Sequence, residues 1–591
     1  MNSHDPSEQV CLCVARRQVP APGRDDRPAW PKLHRLDRLA VAVALTIVVV
    51  ATVPRLPPGI CYDDFGDMQL ASETLGIMHP TGYSGYVTLG YVITRIPGVD
   101  PAYMVSLACL GSGIVALWLC ILVQIRLGVD AWVASACCLV LVAHPRMWMN
   151  LVAPEVYAPS LAFLAAAAYC LVRYARLGVR RDLFIAALLF GIVLSNRPPV
   201  LFTLPFFLIA WWFARNKWEA SWQRSAVSLS LATMCAALPV LYTLGFLWFR
   251  DRPDAPYNYI EQYNLQWKVL PHAAAGWEAK LERVAWHVSG KQFRKFMGNS
   301  WNRIRKKLRW MRNDLFSHSF QDLSAIIVLI VASGLIITFR RRRATVWLLG
   351  GAAIASVVFV SVYHASGEAA YLLTLMFAGA AQGGMALIAA FGLVIAYRRC
   401  RPSAWLLGGM AIASVVFVCA YRVHGQSADL LPFLFAGFVM CGVAISALLA
   451  WQTDRVRRFL AIGFLTVMCV VTVGDAPHRR HTGAKADATS FVAELDIQTL
   501  PKDAVICTGW RVWPPLRYAQ CVLTKRSDID IINADPKHWL WMIEGTEDRP
   551  VFFTRNFQEV RDLPLTRYRN LWRLERRRSP DQPTSADKPT P

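Results

Sequence analysis

Long apolar runs, broken by short polar or basic segments, set the pattern of this chain. They lie at 39–53, 103–125, 131–147, 157–174, 183–194, 200–213, 226–249, 323–339, 346–363, 372–397, 405–421, 430–451 and 459–473. A helix crosses a bilayer in about 17 to 25 apolar residues, so the pattern predicts a polytopic α-helical membrane protein with about thirteen transmembrane helices. The two runs flanking Asn196-Arg197-Pro198-Pro199 are the short ones. Counting from an inside N-terminus places the basic clusters at 173–181, 215–224, 340–343, 398–401 and 455–458 on the inner side, as the positive-inside rule requires. One helix more or fewer would turn about half of them outward.

The segments between the runs divide the chain. Residues 1–37 are polar and rich in Pro and Arg, a disordered cytoplasmic tail by composition. The first run follows basic residues and has no small-residue cleavage site, so it is a retained helix. The transmembrane core is 38–249, with a first outer loop at 55–100. The connection 250–321 mixes Lys and Arg with Trp and Phe, the composition of helices lying in the membrane interface. Further helices fill 322–474. Within them 345–379 recurs as 403–437, each copy containing Trp-Leu-Leu-Gly-Gly and Ala-Ser-Val-Val-Phe-Val. From 475 to 575 the pattern changes to short alternating apolar runs, at 504–507, 529–532 and 550–554, that predict a small extracytoplasmic α/β domain. The tail 576–591 is charged and Pro-rich.

Composition narrows the class. With 55% hydrophobic residues over 591 positions and a mean hydropathy of +0.33, the chain has more apolar surface than one or two soluble cores could hide. The net charge of +23 sits in loop clusters and comes with no reader motif, which argues against a nucleic-acid partner. The 15 Cys show no metal-ligand spacing. Cys507 and Cys521 fit either a disulfide in an oxidising compartment or two buried thiols.

Chemistry concentrates directly after the first run, in Asp63-Asp64-Phe65-Gly66-Asp67 and Leu75-Gly76-Ile77-Met78-His79-Pro80-Thr81-Gly82-Tyr83. Ionisable groups at a membrane surface are costly and usually functional. Asp64 and Asp67 would share a face if the segment is helical. His79 to Tyr83 reads either as a turn or as a histidine placed to bond sugar or phosphate. Glu155 stands at an outer helix entrance, suited to capping or to substrate contact. Arg197 can give a donor fork to phosphate or snorkel to headgroups.

Asp64, Gly66, Asp67, Leu75, Gly76, His79, Pro80, Gly82 and Tyr83 resemble the signature D-x-G-E … L-G-x-x-H-P-P-G-Y of the transmembrane protein 260-like family, with Asp67 for Glu and Thr81 for the second Pro. That family falls in the GT-C class of membrane glycosyltransferases and includes a protein O-mannosyltransferase. Pro154-Glu155-Val156-Tyr157 resembles its A-E-V-Y, Asn196 matches its Asn, and Asp429-Leu430-Leu431-Pro432 resembles its D-x-x-x-x-L-P. Thr508-Gly509-Trp510 with 515–518 resembles its C-terminal domain.

The resemblance implies transfer of a mannose-like hexose from a polyprenyl phosphate to a hydroxyl acceptor, an exported protein's Ser or Thr or a glycan, on the extracytoplasmic face. Asp64 would be the catalytic base. Asp67 would act with it, orienting sugar hydroxyls or holding a divalent metal, for which no dedicated ligand set is expected. His79, Tyr83, Glu155, Asn196, Arg197, Arg422 and Asp429 would contact substrate. No cofactor is expected beyond the lipid-linked sugar as donor. The span count and the helix-pair repeat keep a multi-pass transporter or flippase as the alternative.

Overall fold

The computed structural model describes residues 33–80, 82–218, 221–267, 269–271, 276–292, 304–306, 388–420, 430–450, 452–475, 487–533 and most of 539–575. Ten long or paired helices dominate these residues. They are α1 (Arg35–Thr52), α4 (Pro101–Arg126), the pair α5 (Ala131–Ala143) and α6 (Pro145–Val152), α7 (Tyr157–Leu177), α8 (Arg180–Asn196), α9 (Leu204–Trp218), α10 (Trp222–Arg250), α13 (Arg401–Ala420), α14 (Leu431–Leu449) and α15 (Asp454–Asp475). Between them in chain order lie α2 (Asp63–Thr74), α3 (Ser84–Thr94), α11 (Tyr259–Trp267) and α12 (Trp277–Val288).

Eight helices among the described residues are long and apolar enough to span a membrane, or nine if α5 and α6, which meet at 80°, form one span. The break falls at His144-Pro145, where Pro starts a helix more easily than it continues one. The run expected at 131–147 is therefore two helices. With 17 residues, α8 is only just shorter than those eight. The runs at 323–339 and 346–363 and the first repeat copy lie outside the described residues, so the count of thirteen reaches beyond them. One continuous apolar core joins α1, α4, α5, α7, α8, α13 and α14.

After the last span comes α16 (Thr489–Leu495), then β1 (Val505–Thr508), α17 (Trp513–Tyr518), β2 (Asp530–Asn533), β3 (Val551–Phe553), β4 (Leu565–Tyr568) and β5 (Leu571–Leu574). The sheet order is β2-β1-β3-β5-β4. The strands β1, β2 and β3 are parallel, and β5 pairs antiparallel with β3 and β4. The apolar runs predicted the first three strands. Alternating Arg residues hid the hairpin of β4 and β5, whose outward positions are Thr566, Arg567 and Arg573. Cys507 and Cys521 are both free thiols.

This domain is welded to the first loop. A second core joins Met68, Leu70, Ile77, Met78 and Tyr257 to Leu495, Ile506, Trp513, Leu516 and Phe552. Backbone bonds seal the seam, from Asp63 N to Arg511 O at 2.9 Å and from Ala488 N to Ile60 O at 2.7 Å. The segment 250–290, expected to lie on the bilayer, also folds onto the first loop through the Ile77–Asn258 bridge and the bond from Tyr259 N to Ile77 O at 2.9 Å. Its own shape is set by Arg283, fully buried, whose guanidinium grips Asp251 with two bonds of 2.7 and 2.8 Å and Glu261 with one of 2.7 Å. Leaving any member of such a buried set unpaired costs about 3 to 5 kcal/mol.

Candidate active site

The site forms where α2 begins. Asp63 takes a left-handed backbone (φ 55°), which Asp tolerates better than most residues, and the chain turns there into α2. Asp64 thus sits in the first helical turn, where the helix dipole favours a carboxylate. The indole Nε1 of Trp510 donates to its Oδ1 at 2.6 Å. Asp63, beside it, has its carboxyl pushed above the usual range by burial and by the Asp64 charge, against the pull of Arg511.

Asp67 lies one turn on and is completely buried. Its Oδ1 accepts the Tyr257 hydroxyl. Its Oδ2 faces His79 Nδ1 at 2.5 Å and accepts the His79 backbone N–H at 3.4 Å. Both carboxylate oxygens are therefore engaged within the protein. Burial alone would strip the proton from His79, but the Asp64 charge, the Asp67 hydrogen bond and charge, and Glu155 together push the imidazole up to about 9. At neutral pH it is an imidazolium, anchored through Nδ1, with no partner at Nε2 among the described residues.

Rings enclose His79. Tyr83, Tyr259 and Trp510 lie edge-on to it at centroid distances of 5.3, 6.4 and 5.9 Å. The glycines of the motif have steric reasons. A Cβ on Gly76 would come within 2.8 Å of Tyr257 backbone and side-chain atoms, closing the seam that carries Tyr257 to Asp67. Gly82 has φ +87° and would meet His287 Nε2 at 2.9 Å. His287 is buried with neither ring nitrogen bonded. Burial, with the His79 charge adding and Asp251 opposing, pushes it down to about 3, so it is neutral.

Glu155 completes the charged group. Its Oε2 accepts the Val156 N–H at 3.2 Å, a capping contact ahead of α7. Burial first and the Asp64 charge second raise its carboxyl to about 8, against His79, the Val156 N–H and Arg197. The Arg197 guanidinium stacks over the Tyr157 ring at 4.3 Å. It lines one cleft with Leu161, Leu164, Val200, Phe417 and Leu431.

Asn196 is tied to structure instead. Its Nδ2 donates to Ile192 O at 2.9 Å and its Oδ1 accepts from Tyr86 N at 3.3 Å, joining the end of α8 to the start of α3. Of the residues expected to contact substrate, His79, Tyr83 and Glu155 share the field of Asp64, Arg197 shares that of Tyr83 and Glu155, and Arg422 and Asp429 lie outside the described residues. Among the described residues no group of three or more His, Cys, Asp or Glu is arranged to hold a metal ion. Tyr257, Tyr259 and His287 escaped the sequence reading, which marked Trp510 only as part of the Thr508-Gly509-Trp510 resemblance and gave it no part in the site. The pair Tyr257 and Tyr259, alternating around Asn258, was the only local signal.

Residues 64–221 match the family model described as the Protein O-mannosyl-transferase TMEM260 N-terminal domain. No curated protein sequence matches the chain. Among solved structures, the chain is similar to the Archaeoglobus fulgidus oligosaccharyltransferase, at 12% identity and TM-score 0.45, over 87% of this chain and 68% of that one. ArnT from Cupriavidus metallidurans, bound to undecaprenyl phosphate, gives 13% and 0.43 over 91% and 97%. The S. cerevisiae Pmt1-Pmt2 complex, bound to the sugar donor, gives 18% and 0.32 over 37% and 34%. The segment that holds Asp64, His79, Glu155 and Asn196 thus matches the TMEM260 N-terminal domain, and the chain carrying it has, among its described residues, eight or nine helices long and apolar enough to cross a membrane.

Proposed function

We propose that the protein transfers a mannose-like hexose from a polyprenyl-phosphate donor to a hydroxyl acceptor, an exported protein's Ser or Thr or a glycan, at the extracytoplasmic face. The observation that carries this reading is the joining of Asp64, the His79 imidazolium and Glu155 at the α2 terminus, with Arg197, which lines an apolar cleft, in the field of Glu155. The family match, whose description names O-mannosyl transfer, supports the sugar class.

Each group has a part that its surroundings suit. Asp64 takes the acceptor proton as the hydroxyl oxygen attacks the anomeric carbon, and the bond from that carbon to the phosphate oxygen breaks with its electron pair staying on phosphate. The leaving phosphate needs positive charge more than a proton. His79 supplies it through Nε2, because Asp67, itself held by the Tyr257 hydroxyl, anchors the ring by its other nitrogen. Arg197 adds a donor fork in the lining of the cleft, whose apolar walls suit an isoprenoid chain. Asp67, closed off from solvent, is a positioning residue for His79. Glu155, protonated at neutral pH, can donate to a sugar hydroxyl without adding a second negative charge.

The test is incubation of purified full-length protein with a panel of polyprenyl-phosphate sugars and a Ser/Thr peptide, following release of the lipid phosphate. Release with one donor, lost in Asp64→Asn, is the expected result. Movement of the lipid between leaflets of a vesicle without release would favour the flippase reading instead.

A further inference from the structure

The Trp510 indole reaches Asp64 across 446 positions of sequence. An indole N–H can only donate, and Asp64 is half-buried, open enough for water to satisfy it, so the contact is a specific placement of the donor. The loop that carries Trp510 is held on several sides. Asp63 N bonds Arg511 O at 2.9 Å, and both Val512 N and Trp513 N bond Gly509 O at 3.1 Å. The ring stacks on buried Trp513 at 5.5 Å and 20°, and stands edge-on to Tyr259 at 5.9 Å. The donor is therefore fixed before substrate arrives. Asp64 Oδ2 has no hydrogen-bond partner among the described residues.

We propose that Trp510 is a positioning residue for Asp64, occupying Oδ1 so that Oδ2 is presented to the acceptor hydroxyl, and that the C-terminal domain thereby completes the active site. The inference rests on the assignment of Asp64 as the base. The groups that share the field of Asp64 are Asp63 beside it on α2, His79, Tyr83 and Glu155 from the loops, Tyr157 at the start of α7 and Tyr259 on α11. Removing the indole N–H takes one donor away from the carboxylate and frees it to rotate.

The experiment uses the full chain in nanodiscs, as wild type, Trp510→Phe and Trp510→His, the last keeping a ring N–H. Carbodiimide-driven labelling of Asp64 across the acid-to-neutral range, read by peptide mass spectrometry, needs no activity. In Trp510→Phe the labelling midpoint should rise by about one pH unit, the worth of one hydrogen bond to a charged group, and Trp510→His should move it back toward wild type. In the transfer assay, Trp510→Phe should lose about tenfold in kcat with donor KM unchanged, the mark of a misplaced base, and the acid limb of kcat/KM should move with the labelling midpoint. An unmoved midpoint in folded Trp510→Phe overturns the inference, whether or not transfer is seen. A moved midpoint in a protein that transfers no sugar, even as wild type, upholds the hold of Trp510 on Asp64 and removes the glycosyltransferase assignment.

Discussion

Replacing Asp67 by Asn separates the charge on His79 from the fold around it. The amide keeps the shape of the carboxylate but can accept at one position only, whereas the native group accepts from Tyr257 at Oδ1 and faces His79 Nδ1 at Oδ2. The easiest rearrangement keeps the Tyr257 bond and turns the new NH₂ toward Nδ1, which requires neutral imidazole. A hydrogen bond to a charged group is worth about 1.5 to 3 kcal/mol, or roughly one to two pH units at 1.36 kcal/mol each. The His79 value of about 9 should then fall to roughly 7 to 8, the Asp64 charge holding up the remainder.

Stability follows the same linkage. The folded His79 value lies above 6.5, so the stabilisation from this pair is fully present below 6.5 and is lost as pH rises through about 9. Asp67→Asn should therefore be less stable than wild type by about 1.5 to 3 kcal/mol at pH 6 and nearly equal to it at pH 10. The assays are denaturant titrations at both pH values and ¹⁵N spectra of labelled His79. A His79 still cationic at pH 8.5 in the variant, or a stability gap independent of pH, would refute the assignment of Asp67 as its anchor.

Other substitutions probe the remaining parts. Asp64→Asn should lower transfer by about 10² to 10⁴; wild-type turnover would remove Asp64 from the chemistry. Glu155→Gln should leave the melting temperature unchanged at pH 4 and raise it at pH 9, because the raised native value of about 8 makes stability fall as pH climbs from 4.5 through 8. Equal melting shifts at both pH values would contradict that. Gly76→Ala should cost about 1 to 3 kcal/mol, as expected of overpacking, by driving a methyl against Tyr257, and should reduce transfer through displacement of Asp67. A fully stable and active Gly76→Ala would show that the seam can yield.

Much of this arrangement is written locally. Once 63–74 is a helix, the spacing of Asp64 and Asp67 puts them on one face, and the first three strands follow from apolar runs. The partners of those carboxylates are not local at all. Tyr257 meets Asp67 across 190 positions and Trp510 meets Asp64 across 446, and neither periodicity nor charge marks such pairs in advance. Asn196 is a milder case. Its amide also joins Ile192 to Tyr86, a structural part that its place at a helix end did not announce. The outer segments read as separate because each has its own composition, yet their apolar faces form one core.

That shared core orders events during biosynthesis. The first loop leaves the ribosome long before Trp510 and Trp513 exist, and 446 residues separate Asp64 from its indole partner. At about 5 to 20 residues per second the delay is roughly 20 to 90 s. Throughout that interval α2 lacks the part of its cover that Trp513, Leu516 and Phe552 supply. The nascent chain therefore passes through a long stage in which its spans are made but its chemistry is not, and a synthesis halted after α15 yields an inserted protein whose catalytic helix is still seeking the surface that should have covered it.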